Sequence, residues 1–162
     1  MINKFTSRTR WREKLEKEQE PKVVKIPPKM SRFGKGTMLF PTPKLVDDLV
    51  RKVPKGKLVT VGELRRRLAA DFASDVTCPL TTGIFLRIAA ETAEEDRANG
   101  RKRITPYWRV VKDDGSLNPK FPGGVDNQAR YLQGEGFTVN RNSKTPRVEG
   151  FERRLTMLSL KG

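Results

Sequence analysis

The stretch Val59-Thr60-Val61-Gly62-Glu63-Leu64-Arg65-Arg66-Arg67-Leu68-Ala69-Ala70-Asp71-Phe72 opens with capping-box spacing. Thr60 is placed to accept a hydrogen bond from the backbone three residues on, and Glu63 to reach back to it. Leu64, Leu68, Ala69 and Phe72 recur at helical intervals. The expected helix buries them and leaves Arg65, Arg66 and Arg67 together on the solvent side. After a polar turn, Thr77-Cys78-Pro79 suits a second helix start, with proline near its first position. Leu80, Ile84, Phe85, Ile88 and Ala89 mark its expected apolar face, and Asn99-Gly100 its end. Two helices joined by a short turn read as a helix-turn-helix, although these residues alone fit an ordinary helical hairpin equally well.

Upstream, Leu45, Val46, Leu49, Val50 and Val53 share one helical face, and Pro54-Lys55-Gly56 stops it before the β-prone pair Leu58-Val59. Downstream, Ile104-Thr105-Pro106-Tyr107-Trp108-Arg109-Val110-Val111 reads as a strand. Asp113-Asp114-Gly115 turns the chain, residues 116–124 form a loop rich in Pro and Gly, and Val125–Glu135 makes a helix with Val125, Ala129 and Leu132 inward. The charged run Glu94, Glu95, Asp96, Arg97, Arg101, Lys102 and Arg103 reads as a solvated helix end and turn. Before this body, residues 7–20 suit a helix capped by Ser7 and stopped by Pro21, with Trp11 and Leu15 its main apolar side chains. Residues 21–43 carry five prolines with Gly34 and Gly36, so an extended linker is expected, its charge spaced along Lys25, Lys29, Arg32 and Lys35. Phe151, Leu155 and Leu158 repeat at helical spacing and predict a short terminal helix that docks. The organisation expected is a basic extension over 1–42, a folded domain over 43–137 and a second basic extension over 138–162.

The formal charge is +15 in 162 residues, and it is uneven. Residues 1–36 hold 11 Lys and Arg against 4 Glu, and residues 137–162 hold 6 against 2. Such an excess calls for a polyanionic partner, nucleic acid first. Hydrophobic residues make up 35% of the chain, below the roughly 45–50% of ordinary domains, so part of the sequence is expected outside a core. With no histidine there is no side chain to switch near neutral pH. A single cysteine excludes an internal disulfide and any cysteine-based zinc site, and no run of residues is long and apolar enough for a span or a signal segment. A soluble cytoplasmic monomer without metal or cofactor, off the membrane and on the nucleoid in a bacterium, is the expectation.

Taken in order, these pieces resemble the DNA-binding domain of the O6-alkylguanine DNA alkyltransferases. Val53-Pro54-Lys55-Gly56 and Val59-Thr60-Val61-Gly62-Glu63-Leu64 are similar to the family's Pro-x-Gly and Val-Thr-Tyr-Gly-x-Leu. The stretch from Pro79 corresponds to its recognition helix, and Pro106–Val111 to its active-site strand, Pro-Cys-His-Arg-Val. Gly123-Gly124 and Leu132-Gln133-Gly134-Glu135-Gly136 correspond to its pocket loop and closing helix. The resemblance implies a mainly α fold with a short β element: a winged-helix-like helix-turn-helix domain of the alkyltransferase C-terminal type, with basic extensions at both ends.

The departures change what the resemblance implies. Tyr107 stands at the nucleophilic Cys position and Trp108 at the activating His position. A phenol titrating near ~10 is a poor nucleophile at neutral pH, and indole accepts no proton. Of the family's proton relay only Glu135 remains, where it reads as a structural acceptor, and Arg109 reads as an internal donor tying strand to loop. Val61 replaces the Tyr that helps turn out a nucleotide, and Ala90 falls near the Arg that fills the gap, with Arg87 one turn earlier as substitute. Phe121 and Pro122 occupy the guanine-facing loop. The expectation is therefore a non-enzymatic, alkyltransferase-like protein that binds double-stranded DNA carrying O6-alkylguanine and flags it for a repair partner. Arg65, Arg66, Arg67, Thr81, Thr82 and Arg87 are its expected DNA contacts, and Tyr107, Trp108, Arg109, Phe121, Pro122 and Glu135 line the expected base pocket. The alternative keeps the fold as a general, lesion-independent nucleic-acid module. A remote one makes Cys78 a nucleophile, although its place at a helix start fits a small packed residue.

Overall fold

The computed structural model describes residues 11–158. Residues 11–16 are helical (α1), so the helix expected over 7–20 stops before Lys17, and its Ser7 cap lies outside the described residues. Residues 21–43 are not an extended linker. Lys22–Lys25 (β1) and Thr37–Phe40 (β2) pair antiparallel, joined by a 3-10 segment at Pro28–Phe33. Proline spacing was the wrong guide here, because Met38 and Leu39 between the prolines are fully buried. Burying these two side chains offsets part of the entropy lost in ordering the hairpin.

Helix α2 (Pro43–Val50) is capped by Thr42, whose hydroxyl accepts from Leu45 N at 3.2 Å. It buries Val46, Leu49 and Val50. Strand β3 (Val59–Thr60) leads into α3 (Val61–Asp71), with Thr60 Oγ1 accepting from Glu63 N at 3.1 Å. Only this half of the capping box forms. The Glu63 carboxylate accepts instead from Arg66 and from Leu158 N at 2.9 Å, which fastens the chain's end to α3. The turn after α3 passes through β4 (Val76–Thr77), parallel to β2, and Cys78 caps α4 (Pro79–Ala98). Residues 60–100 thus hold two helices around a short turn, and the chain is mainly helical with short strands set about this pair.

The strand expected over 104–111 is confined to β5 (Val110–Val111), parallel to β3, while Tyr107–Arg109 form a 3-10 turn. The tighter turn points Tyr107 and Trp108 into the interior instead of to alternate faces of a sheet. Helix α5 (Gly124–Gly134) follows, then the pair β6 (Val139–Asn140) and β7 (Arg147–Val148). The terminal segment docks, but not as an α-helix. Phe151–Arg154 form a 3-10 turn, and Leu58 bonds on both sides of Leu155, from its N–H to Arg154 O at 2.9 Å and from Thr156 N to its carbonyl at 2.8 Å. Leu158 is buried beyond it.

Candidate functional site

Helix α4 turns inward only part of the face its periodicity implies: Ile88 and Ala89 are buried and Phe85 packs half-buried on the core, but Leu80 and Ile84 face outward. Its buried residues include Thr82, Leu86, Ile88, Ala89, Ala90, Thr92 and Ala93. Leu80 and Ile84 are 56% and 61% exposed. The polar Thr82 and Thr92 go inside because their hydroxyls donate to Cys78 O and Ile88 O one turn back, at 2.7 and 2.8 Å, leaving methyl groups to pack. With Thr82 committed to its own helix, that expected DNA contact is withdrawn. Thr81, half-buried, donates to Cys78 Sγ at 3.2 Å.

The outward face of α4 floors a groove of about 890 Å³. Leu80, Gly83, Ile84 and Arg87 come from α4, Val61 and Arg65 from α3, Lys112 and Asp113 from the turn after β5, Asn118, Pro119 and Lys120 from the loop beyond, and Trp11 and Lys14 from α1. Asp113 fixes the turn by accepting from Gly62 N, 2.8 Å away, at the start of α3. A side chain at Gly62 would collide with that carboxylate. Five cations and one carboxylate therefore surround two exposed aliphatic side chains. At Gly83 a Cβ would meet nothing within 4 Å, so the helix backbone is bare there. Arg65 Nε is buried without a hydrogen-bond partner among the described residues.

The other expected arginines are spoken for. Arg67 is not on the solvent side: it is 6% exposed and pairs with Asp71 at 2.9 Å. The first and third of three consecutive residues lie about 200° apart around a helix, too wide an arc for all three to share one solvent face. Arg66 makes two 2.7 Å bonds to Glu63, and Arg87 lies 3.5 Å from Glu91 with its guanidinium 5.7 Å from the Trp11 ring centre.

The expected base pocket is filled. Tyr107 is wholly buried, with its ring edge-on to Trp108, Phe121 and Tyr131 at 5.4, 5.2 and 6.0 Å. Trp108 stacks on Tyr131 at 4.0 Å. The Tyr107 hydroxyl donates to Glu94 at 2.6 Å and accepts from Asn127 Nδ2, which also donates to Pro122 O. Tyr131 donates to the same Glu94 oxygen at 2.8 Å. Burial and the bond to Glu94 push the Tyr131 phenol up to about 12 and the Tyr107 phenol higher still. Burial opposes charge on Glu94, but bonds from Tyr107, Tyr131 and Arg97 outweigh it and hold the carboxyl below the ordinary range. Proton loss from Tyr107 is thus disfavoured, which is the opposite of what a nucleophile needs.

Glu135 anchors the other side of the cluster. It accepts from Trp108 Nε1 at 2.8 Å, from Arg109 through two nitrogens, and from Gly56 N at 3.2 Å. Burial again works against the charge, and these donors, Arg109 first, hold the carboxyl low. Arg109 also donates to Val53 O at 2.7 Å. Gln128, fully buried, donates to Trp108 O and Val110 O and accepts from Asn118 N, joining α5 to the strand and the loop.

The charged run after residue 93 was expected in solvent, yet Glu94 turns into the aromatic cluster and Asp96, 5% exposed, pairs with Arg12 of α1. Sequence reasoning missed Glu94, Asn127, Gln128 and Tyr131. Asn127 and Tyr131 lie one turn apart on α5 and so share a face, a usable signal; a charged run contained none for Glu94. Cys78 is 1% exposed, its sulfur accepting from Thr81, which places it out of reach of a DNA lesion.

No protein-family model and no curated protein matches the chain. Two solved structures are similar to it. Atl1 of S. pombe in complex with damaged DNA containing O6-carboxymethylguanine is 18% identical at a TM-score of 0.47, over 72% of this chain and 94% of that one. ATL of S. pombe in complex with DNA is 16% identical at a TM-score of 0.46, over the same shares of each chain.

Proposed function

We propose that this chain binds double-stranded DNA without covalent chemistry, seating the duplex on the outward face of α4. The observation that carries the reading is the groove itself. Leu80 and Ile84 stand exposed on a helix opening with Pro79, ringed by Lys14, Arg65, Arg87, Lys112 and Lys120. Exposed aliphatic side chains within a cationic rim suit the sugars and base edges of a minor groove between two phosphate backbones. The amino end of α4 adds a partial positive charge where the first of these side chains projects.

The filled cluster around Tyr107 favours the lesion-independent form of this reading. A base received where the alkyltransferase resemblance puts its pocket would need the volume that the Tyr107 and Phe121 rings occupy, and both are buried with their neighbours closed on them. Grip then comes from the groove and from charge, and the cluster serves as its internal support. Relation to O6-alkylguanine repair, with a partner that follows binding, is the alternative that the same measurement decides. Duplexes with and without one O6-methylguanine, titrated with the full chain, are expected to bind alike, within about two-fold, both weakening steeply with salt. A preference of tenfold or more for the modified duplex, about 1.4 kcal/mol, would move the function to lesion recognition. Failure to bind either duplex would end the DNA reading.

A further inference from the structure

The hairpin β1–β2 is built onto the first residues of α4. Strand β2 runs parallel to β4 with Met38 opposite Val76 and Leu39 opposite Thr77, and Leu39 O accepts from Cys78 N, the cap of α4, at 2.9 Å. Asp75 clamps the same junction. Its carboxylate accepts from Thr37 N at 2.8 Å and from Thr37 Oγ1 at 3.1 Å, while its own N–H donates back to that hydroxyl. The clamp requires glycine at Gly36: φ is +95°, and a Cβ there would lie 2.1 Å from the Asp75 carboxylate. The hairpin is therefore held in a defined place beside the end of α4 from which Leu80 projects.

Its charge is one-sided. Lys22, Lys25, Lys29, Arg32 and Lys35 are all exposed, residues 21–36 contain no Asp or Glu, and none of the five pairs with a carboxylate among the described residues. Elsewhere the arginines largely have acidic partners, as at Arg51, Arg66, Arg67, Arg97 and Arg109. Lysines on an exposed edge strand ordinarily prevent pairing with another chain. That explains Lys22 and Lys25 on β1. It does not explain Lys29, Arg32 and Lys35, which lie in the connection between the strands.

We infer that the loop of this hairpin is a second DNA-contacting element, in which Lys29, Arg32 and Lys35 hold phosphates flanking the segment seated on α4. The inference rests on the proposed DNA binding and adds where the footprint extends. A cationic loop fixed by Asp75 and Gly36 meets a backbone carrying a charge every ~1.7 Å along its axis, and each neutralised phosphate releases counterions.

The test is the salt dependence of duplex binding by the full chain and by the triple variant Lys29→Gln, Arg32→Gln, Lys35→Gln. Three lost phosphate contacts make the slope of log affinity against log salt about 3 less steep. Between about 50 and about 200 mM salt, the unmodified chain should then lose roughly forty-fold more affinity than the variant. The charge-preserving variant Lys29→Arg, Arg32→Lys, Lys35→Arg should keep the original slope. Tight binding by the unmodified chain with no change of slope in the triple variant overturns the hairpin contact and leaves the groove reading standing. Equal flattening in the charge-preserving variant overturns it also, and absence of duplex binding by the unmodified chain removes both.

Discussion

One helix serves two regions of opposite character. The later turns of α4 give Glu94 to the cluster of Tyr107, Trp108, Phe121 and Tyr131, where hydroxyls, indole N–H and carboxylates have partners inside the protein. Its first turns give Leu80 and Ile84 to a groove where aliphatic carbon faces water and Arg65 Nε has no partner among the described residues. A protein that only had to fold would bury the first pair of side chains and satisfy the guanidinium. Aliphatic side chains left bare at a surface, beside a polar atom left unpaired, mark where binding is expected, and groups fully satisfied inside mark where stability comes from. The region that resembles a reactive site is thus the structural one, and the helix face beside it is the candidate for function.

That contrast can be broken by substitution. The largest effect is expected from Glu135→Ala, which strands Arg109 and the Trp108 N–H in a site where the paired side chains are 13% and 9% exposed. Removing one member of a buried pair costs about 3–5 kcal/mol, read as a fall in the urea midpoint. Acid should act in the same direction. Glu94 and Glu135 are both held below the ordinary value of 4.5, so their stabilisation is complete above it and fades as pH falls through the lower folded-state values. A midpoint that does not drop as pH is lowered from about 7 to about 2.5 would show that these carboxylates do not hold the cluster together.

Ile84→Asp probes the other region. A carboxylate set against phosphates should weaken duplex binding at least about tenfold, or 1.4 kcal/mol, while the exposed position keeps stability within about 0.5 kcal/mol. A stability loss without a binding loss would reverse the assignment of the two regions. Tyr107→Phe should have the smallest effect on binding, leaving duplex affinity unchanged, while loss of the bond to the charged Glu94 and of the one from Asn127 costs about 2 kcal/mol of stability. A marked change in affinity would mean that the cluster takes part in binding after all.

Helix existence was legible because periodicity reports it directly. The starts at Thr60 and Cys78 and the inward faces of α2 and α3 follow from local spacing and from residues that cap. Less was legible wherever a side chain's partner lay far along the chain. Periodicity placed Leu80 and Ile84 inside because it cannot weigh them against Thr82, whose hydroxyl is satisfied by its own helix. A proline-rich stretch read as linker became a hairpin because β4, some forty residues on, offered β2 a partner. Glu94 and Asp96 turned inward because the hydroxyls of Tyr107 and Tyr131 and the guanidinium of Arg12 waited there.

By itself, then, the amino-acid sequence determined the basic charge, the order of helices, and the lack of a histidine or a reactive thiol at the strand where the resemblance seeks them. Each is a property of residue types and near neighbours, so no three-dimensional context is needed. Only the tertiary structure decided that Tyr107 fills its site and that α4 turns an aliphatic, cation-rimmed face to solvent. Both outcomes depend on which distant groups arrive to share the same volume, and burial rewards the combination rather than any single segment.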